Sequence, residues 1–175
     1  MCAAAQTSRN VTTEDTDESI NYRPLGENWW SGGAFSKFGV DPTRLSGQSW
    51  MWAQSLQGDQ TSATATFQFS GVSVYVFNVL IHFINVEFFL DDEPNPTTFV
   101  WQPSGLEHIQ YNTVVYSRSG LDNTQHTLKM QLKNDGESMI FFDRLVHAIQ
   151  EEDTPDPSPT PSTTFFTLRQ HQQRG

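Results

Sequence analysis

From Thr61 to Phe69 the chain alternates Ala63, Ala65, Phe67 and Phe69 with Thr64, Thr66 and Gln68, a period of two that predicts a strand with one buried face. Ser70-Gly71 punctuates, and Val72, Val74 and Val76 then alternate with Ser73 and Tyr75. Ile84, Val86, Phe88 and Leu90 predict a third strand, which stops at the turn-forming run Asp91-Asp92-Glu93-Pro94-Asn95-Pro96. Thr113 to Tyr116 is a shorter strand. His126, Leu128, Met130 and Leu132 alternate with polar residues up to Asn134-Asp135-Gly136, a hairpin signal of the Asp-Gly type, and Met139 to Ile149 is a last, mostly apolar strand. With seven or more short strands and no sustained helical period, the expected fold is all-β, an antiparallel two-sheet β-sandwich.

Val72 to Leu90 is mostly apolar and near the length of a membrane span. It also contains Ser73, Asn78, His82, Asn85 and Glu87. A carboxylate inside a span costs on the order of 2.5 to 3.5 kcal/mol. Two sandwich strands joined through Leu80 to Phe83 fit better, although that connection lacks the Gly or Pro of a tight hairpin.

Composition then divides the chain. Residues 1–24 are polar with an acidic run from Glu14 to Glu18, and are expected to form a flexible acidic lead-in. Residues 25–150 hold all five Trp and most of the Phe, and form the expected β-sandwich domain. Residues 151–175 begin with Pro at alternating positions from Pro155 to Pro161, the composition of a semi-rigid Pro/Ser/Thr stalk followed by a polar tail. The formal net charge of −10 argues against nucleic acid as a partner, since phosphate binding needs clustered Lys and Arg. Cys2 is the only cysteine, so no intrachain disulfide forms and no Cys-based zinc site exists. The first nine residues lack the apolar stretch of a signal peptide, so the chain as given is not expected to follow the classical secretory route.

The order of signals resembles a known family. Trp29-Trp30 is followed by Ser62 to Val76, by a strand ending Leu90-Asp91-Asp92, by Tyr111 to Leu121, by Gln125-His126-Thr127-Leu128 and by Phe142-Asp143-Arg144-Leu145-Val146. The most specific part is Ser119-Gly120-Leu121 with His126-Thr127-Leu128 shortly after it. This looks like the galactose-binding-like jelly-roll domain of fungal extracellular, often membrane-anchored proteins, and is similar in plan to carbohydrate-binding modules. The resemblance covers about residues 28–150. It implies a jelly roll, a glycan or cell-surface protein as partner, and an extracellular or cell-surface location. Membrane contact would come only through an anchor helix after the spacer, a helix this sequence does not contain.

A sugar site needs an aromatic platform for the apolar face of the ring and nearby polar groups for its hydroxyls. Candidates are Trp101, Tyr111, Asn112, Trp29 and Trp30, with Trp101 placed first because Gln102-Pro103-Ser104-Gly105 puts it beside a loop; Asn28, Gln48 and Gln54 are further polar partners. Trp50 and Trp52 would share a strand face, with at least one filling the core. The alternative for any of these Trp is simple packing. No cofactor is expected unless it is a structural calcium, which related modules often carry; Asp91, Asp92 and Asp143 are the candidate ligands, against the plainer reading of a solvated turn and an Asp143–Arg144 pair. No nucleophile, metalloprotease or phosphate-loop motif occurs, and His126 reads as a hydrogen-bonded edge residue rather than a base. The expectation is a non-catalytic, lectin-like module, with a protein-interaction ectodomain as the alternative and a glycoside hydrolase behind both.

Overall fold

The computed structural model describes residues 6–24, 28–32, 38–55, 61–91, 93–105, 109–134 and 136–152. Among the described residues, nine strands and two short 3-10 turns follow one another: β1 (Gln6–Glu14), β2 (Asn21–Arg23), β3 (Trp29–Gly32), 3-10 turns at Pro42–Arg44 and Ser46–Gln48, β4 (Trp50–Gln54), β5 (Thr64–Leu80), β6 (Ile84–Leu90), β7 (Thr97–Trp101), β8 (Gln110–Leu132) and β9 (Met139–Glu152). Every pairing is antiparallel.

Two long strands build both layers of the sandwich. The first part of β5 pairs with β2 and with the second part of β8, which pairs on to β6 and thence to β7. The second part of β5 lies between the first part of β8 and β9, and β9 continues to β4 and β3 at one end and to β1 at the other. The crossing point is Gly71. Its φ is +143°, and a Cβ there would lie 2.1 Å from the Ala148 carbonyl oxygen, so only glycine lets β5 pass this close to β9. The break expected at Ser70-Gly71 is therefore a register shift within one strand. Likewise, the short strand expected at Thr113–Tyr116 is part of the 23-residue β8.

The core lies between the layers. Alternate residues point inward: Phe67 and Phe69 on β5, Ile84, Val86, Phe88 and Leu90 on β6, Leu128, Met130 and Leu132 on β8, and Ile140, Phe142 and Leu145 on β9. Rings meet across the gap, with Phe67 5.1 Å from Phe142 and Phe88 stacked 4.7 Å from Tyr116.

Two connections differ from what local signals suggest. β5 and β6 are joined by Ile81-His82-Phe83 but do not pair with each other, so the link is an arch between layers; a tight hairpin turn, and hence Gly or Pro, is not needed. The hairpin expected around Asn134-Asp135-Gly136 is also an arch: β8 pairs with β5 and β6, whereas β9 pairs with β4, β5 and β1. Val72–Leu90 is thus two strands and an arch, and no helix among the described residues is long and apolar enough to cross a membrane.

The domain boundaries also move. The flexible lead-in expected over 1–24 is part of the sheet from Gln6: β1 pairs with β9 along its full length and β2 pairs with β5. Polar β1 is held by its backbone ladder, because an edge strand needs no apolar face. β9 runs to Glu152, so residues 151 and 152 belong to the sheet rather than to the expected stalk; residues 153–175 lie outside the described residues.

Candidate functional site

A second apolar cluster lies on the outer face of the β4–β9–β5 layer. Val40, Leu45, Trp50, Val79 and Phe141 are buried there, with Phe38, Trp52, Ile81, Ile109, Tyr111 and Met139 half-buried around them. Register creates it. Trp29 faces Ala53 and both point into the main core, so the next pair, Trp30 and Trp52, must point outward. Gly32 faces Trp50, and a Cβ on Gly32 would lie 1.8 Å from the indole, so the glycine makes room for that ring to lie flat.

The half-buried rings form a continuous aromatic row. Trp30 stacks on Trp52 with centroids 4.5 Å apart at 27°. Phe38 meets Trp52 edge-on at 5.0 Å and Phe141 at 5.0 Å, and exposed His82 stands 5.7 Å from Phe38. Beside the row, Tyr111 accepts a 2.8 Å hydrogen bond from the Asp41 N–H, and the Arg44 guanidinium lies 3.9 Å above its ring. Asn112, in the left-handed region at φ +53°, accepts a 3.0 Å hydrogen bond from Arg144.

The segment over the outer cluster is pinned by an acidic seam. Asp15 and Asp143 are fully buried. The Ser49 hydroxyl donates to Asp15 at 2.6 Å, the Ser46 N–H to Asp143 at 3.1 Å, and the Ser46 hydroxyl to Glu14 at 2.6 Å. Arg144 pairs with Asp143 from the other side. Burial pushes Asp15 up to about 6, against the Ser49 hydrogen bond, with the Glu14 charge pushing the same way. Burial also pushes Asp143 up to about 6, against the charge of Arg144.

Of the residues singled out in the sequence, Trp30 and Tyr111 sit at the outer cluster and Asn112 beside it. Trp29 does not: it is buried in the main core, 4.7 Å from Tyr22, and its indole N–H donates to the Arg23 carbonyl, so it offers no platform. Trp101 ends β7 opposite Ile84 and packs half-buried against the main core, so it belongs to a strand of the other layer rather than to the loop beside it. Asn28 is buried and donates to the Thr61 carbonyl. Trp50 is the core member expected of the Trp50/Trp52 pair. Sequence reasoning did not single out Phe38 or His82; the one usable signal was a His interrupting the apolar run of the β5–β6 arch.

Of the candidate calcium ligands, Asp91 and Asp143 lie apart with separate partners. Asp91 accepts from the Thr127 N–H and from His126, both at 2.8 Å, while Asp143 is engaged by Ser46 and Arg144 in the seam. Asp92 lies outside the described residues. Among the described residues, no group of three or more His, Cys, Asp or Glu side chains could hold a metal ion. His126 is buried between Asp91 and the Asp122 carbonyl, 2.9 Å away, as its expected edge role requires. The Asp122 carbonyl and Asp91 both raise its pKa.

No protein-family model matches the chain, and no curated protein matches it. Solved structures do match. A family two carbohydrate esterase from Cellvibrio japonicus superposes with a TM-score of 0.51 at 9% identity, over 81% of this chain and 34% of the esterase chain. The catalytic domain of a GH87 alpha-1,3-glucanase, solved in complex with tetrasaccharides, superposes with a TM-score of 0.50 at 12% identity, over 90% of this chain and 31% of its own. This chain thus spans about a third of each. At such identities the likeness concerns the fold: an antiparallel β-sandwich of the kind found within carbohydrate-active enzymes.

Proposed function

We propose that this domain is a non-catalytic carbohydrate-binding module that recognises a cell-wall or cell-surface glycan at the aromatic row. The observation that carries the reading is the stacked, half-buried Trp30–Trp52 pair, held on two rigid strands outside the core. A flat indole surface suits the apolar face of a pyranose, and strand-borne rings lose little conformational entropy on binding. Gln54, two residues beyond Trp52 on the same strand face, and His82 at the end of the row supply hydrogen-bonding groups for hydroxyls. The occurrence of this fold in two carbohydrate-active enzymes supports the class of ligand. A non-catalytic role is supported by the acidic seam, whose carboxyls hold Ser46, Ser49 and Arg144 in place.

The test is a glycan array followed by titration under Trp fluorescence. At least one glycan should quench the emission, and Trp30→Ala should weaken that glycan at least tenfold, the loss expected of a central aromatic contact. An array with no hits overturns the proposal.

One observation favours a second reading, a protein-interaction module. Val100 on β7 and Val114 on β8 are 58% and 42% exposed, and between those strands lies a groove of about 280 Å³ lined by Thr97, Thr98, Phe99 and Val114 to Ser117. Among the described residues, β7 pairs with β6 alone and the first part of β8 with β5 alone, which leaves strand edges for a partner chain.

A further inference from the structure

The motif Ser119-Gly120-Leu121 plays no part in the aromatic row. It lies where β8 passes from one layer to the other. Ser119 pairs with Ser73 and Thr124 with Gly71, so residues 120–123 of β8 bulge out against Val72 alone. Gly120 takes φ +75°, and a Cβ there would meet nothing within 4 Å, so the glycine serves the turn and leaves the space above it open.

That open space is a shallow cavity of about 460 Å³ lined by Tyr75, Ser117, Arg118, Ser119, Gly120 and Leu121. Tyr75 is 37% exposed and pairs directly opposite Ser117. Ligand cavities commonly measure about 300 to 1,000 Å³. Register places Tyr75, Ser117 and Ser119 on one face of the layer, with Tyr75 opposite Ser117 and Ser73 opposite Ser119, so the lining combines an aromatic ring with two hydroxyls. Arg118, opposite inward-facing Val74, turns to the other face, where Glu93 lies 2.6 Å from it, so the ring and hydroxyls of the cavity face carry no charge of their own.

We propose that this cavity is a second saccharide subsite, distinct from the aromatic row and suited to a neutral hexopyranose. The apolar face of the sugar packs on Tyr75, and its hydroxyls exchange hydrogen bonds with Ser117 and Ser119. A uronate is disfavoured because Arg118 turns to the other face and is paired there with Glu93. The inference rests on the carbohydrate reading of the domain. The two places report separately: Tyr75 pairs with Val146 and Trp52 with Phe141, five residues apart on β9, or roughly 16 Å along the strand, too far for one monosaccharide to touch both.

The experiment is an amide and indole NMR titration of the full chain with methyl glycosides of glucose, galactose, mannose and xylose. At least one glycoside should shift the amides of Ser117 to Leu121, and those shifts should survive Trp30→Ala. Tyr75→Ala should weaken them at least tenfold without moving the response of the Trp30 and Trp52 indoles. If Tyr75→Ala disturbs the fold, Ser119→Val removes a hydroxyl from the same cavity and should weaken the same shifts. Shifts confined to the indoles, and unchanged by the cavity variants, overturn the second subsite and leave the aromatic-row proposal standing. Shifts at neither place, with any of the four glycosides, overturn both.

Discussion

The two apolar clusters of this domain are built from the same strands but by different rules. Between the layers, alternate residues of β6, of the first part of β5 and of the end of β8 from Leu128 to Leu132 are inward and buried, with Ile140, Phe142 and Leu145 of β9 facing them, and Phe and aliphatic side chains close the space. On the outer face a few buried residues sit beneath the 3-10 segment and are ringed by half-buried aromatics. β9 feeds both, with Phe141 outward, Phe142 inward and Asp143 buried at the irregularity that follows. The inner cluster excludes water completely and so carries stability. The outer one leaves ring faces at the surface, an arrangement that wastes apolar area unless something binds there.

The sharpest test of that contrast is truncation of one ring in each. Phe67→Ala removes a fully buried ring in contact with Phe142 and should cost about 3 to 5 kcal/mol in chemical denaturation. Trp30→Ala removes a larger ring but should cost only about 1 to 1.5 kcal/mol, chiefly its stacking on Trp52. Equal losses would mean that the outer row is simply more core.

The next effect falls on the seam that fastens the outer segment. Asp15 and Asp143 have an ordinary value of 3.8 and native values of about 6. Between these pH values the folded chain holds protons that the unfolded chain has released, so stability falls as pH rises from about 4 through about 6. One pKa unit corresponds to about 1.4 kcal/mol, and the two groups together should make the domain more stable at pH 5 than at pH 7.5 by about 2 kcal/mol or more. His126, with a raised pKa, acts in the same direction, because the stability it adds is lost as pH rises through its native value. The decisive measurement is therefore the wild-type pH profile against Asp143→Asn. The variant should flatten the profile, and an unchanged slope would show that the seam does not titrate in this range.

How much of this was legible follows from where side chains point. The inner cluster repeats with period two, so Phe67, Phe88 and Leu128 could be read as core directly from the sequence. β1 could not: its sequence holds a single apolar residue, Val11, and its place depends on pairing with β9 more than a hundred residues away. The acidic run that looked like a solvated lead-in contains Asp15, fully buried, because burial there is decided by Ser49 and the backbone of Asp143. Adjacent Trp29 and Trp30 look equivalent in sequence, and only the register opposite Ala53 and Trp52 sends one inward and the other out. The row itself needs Phe38, Trp52, His82 and Phe141 from four separate segments, and no spacing rule joins them.

The smallest effect is expected far from both clusters, on β1. Arg9 and Glu151 form a 2.8 Å ion pair across β1 and β9, with side chains 60% and 51% exposed. Water solvates both charges well in either state, and holding two long side chains in one geometry costs entropy that offsets the attraction. Arg9→Ala should therefore change stability by no more than about 0.5 kcal/mol, a difference that vanishes in high salt. A loss above 1 kcal/mol would mean that the polar edge strand depends on its surface charges. The expected near-zero value instead leaves the backbone ladder to β9, together with buried Asp15 at the end of the strand, as what keeps β1 in the sheet and the seam beneath the aromatic face closed.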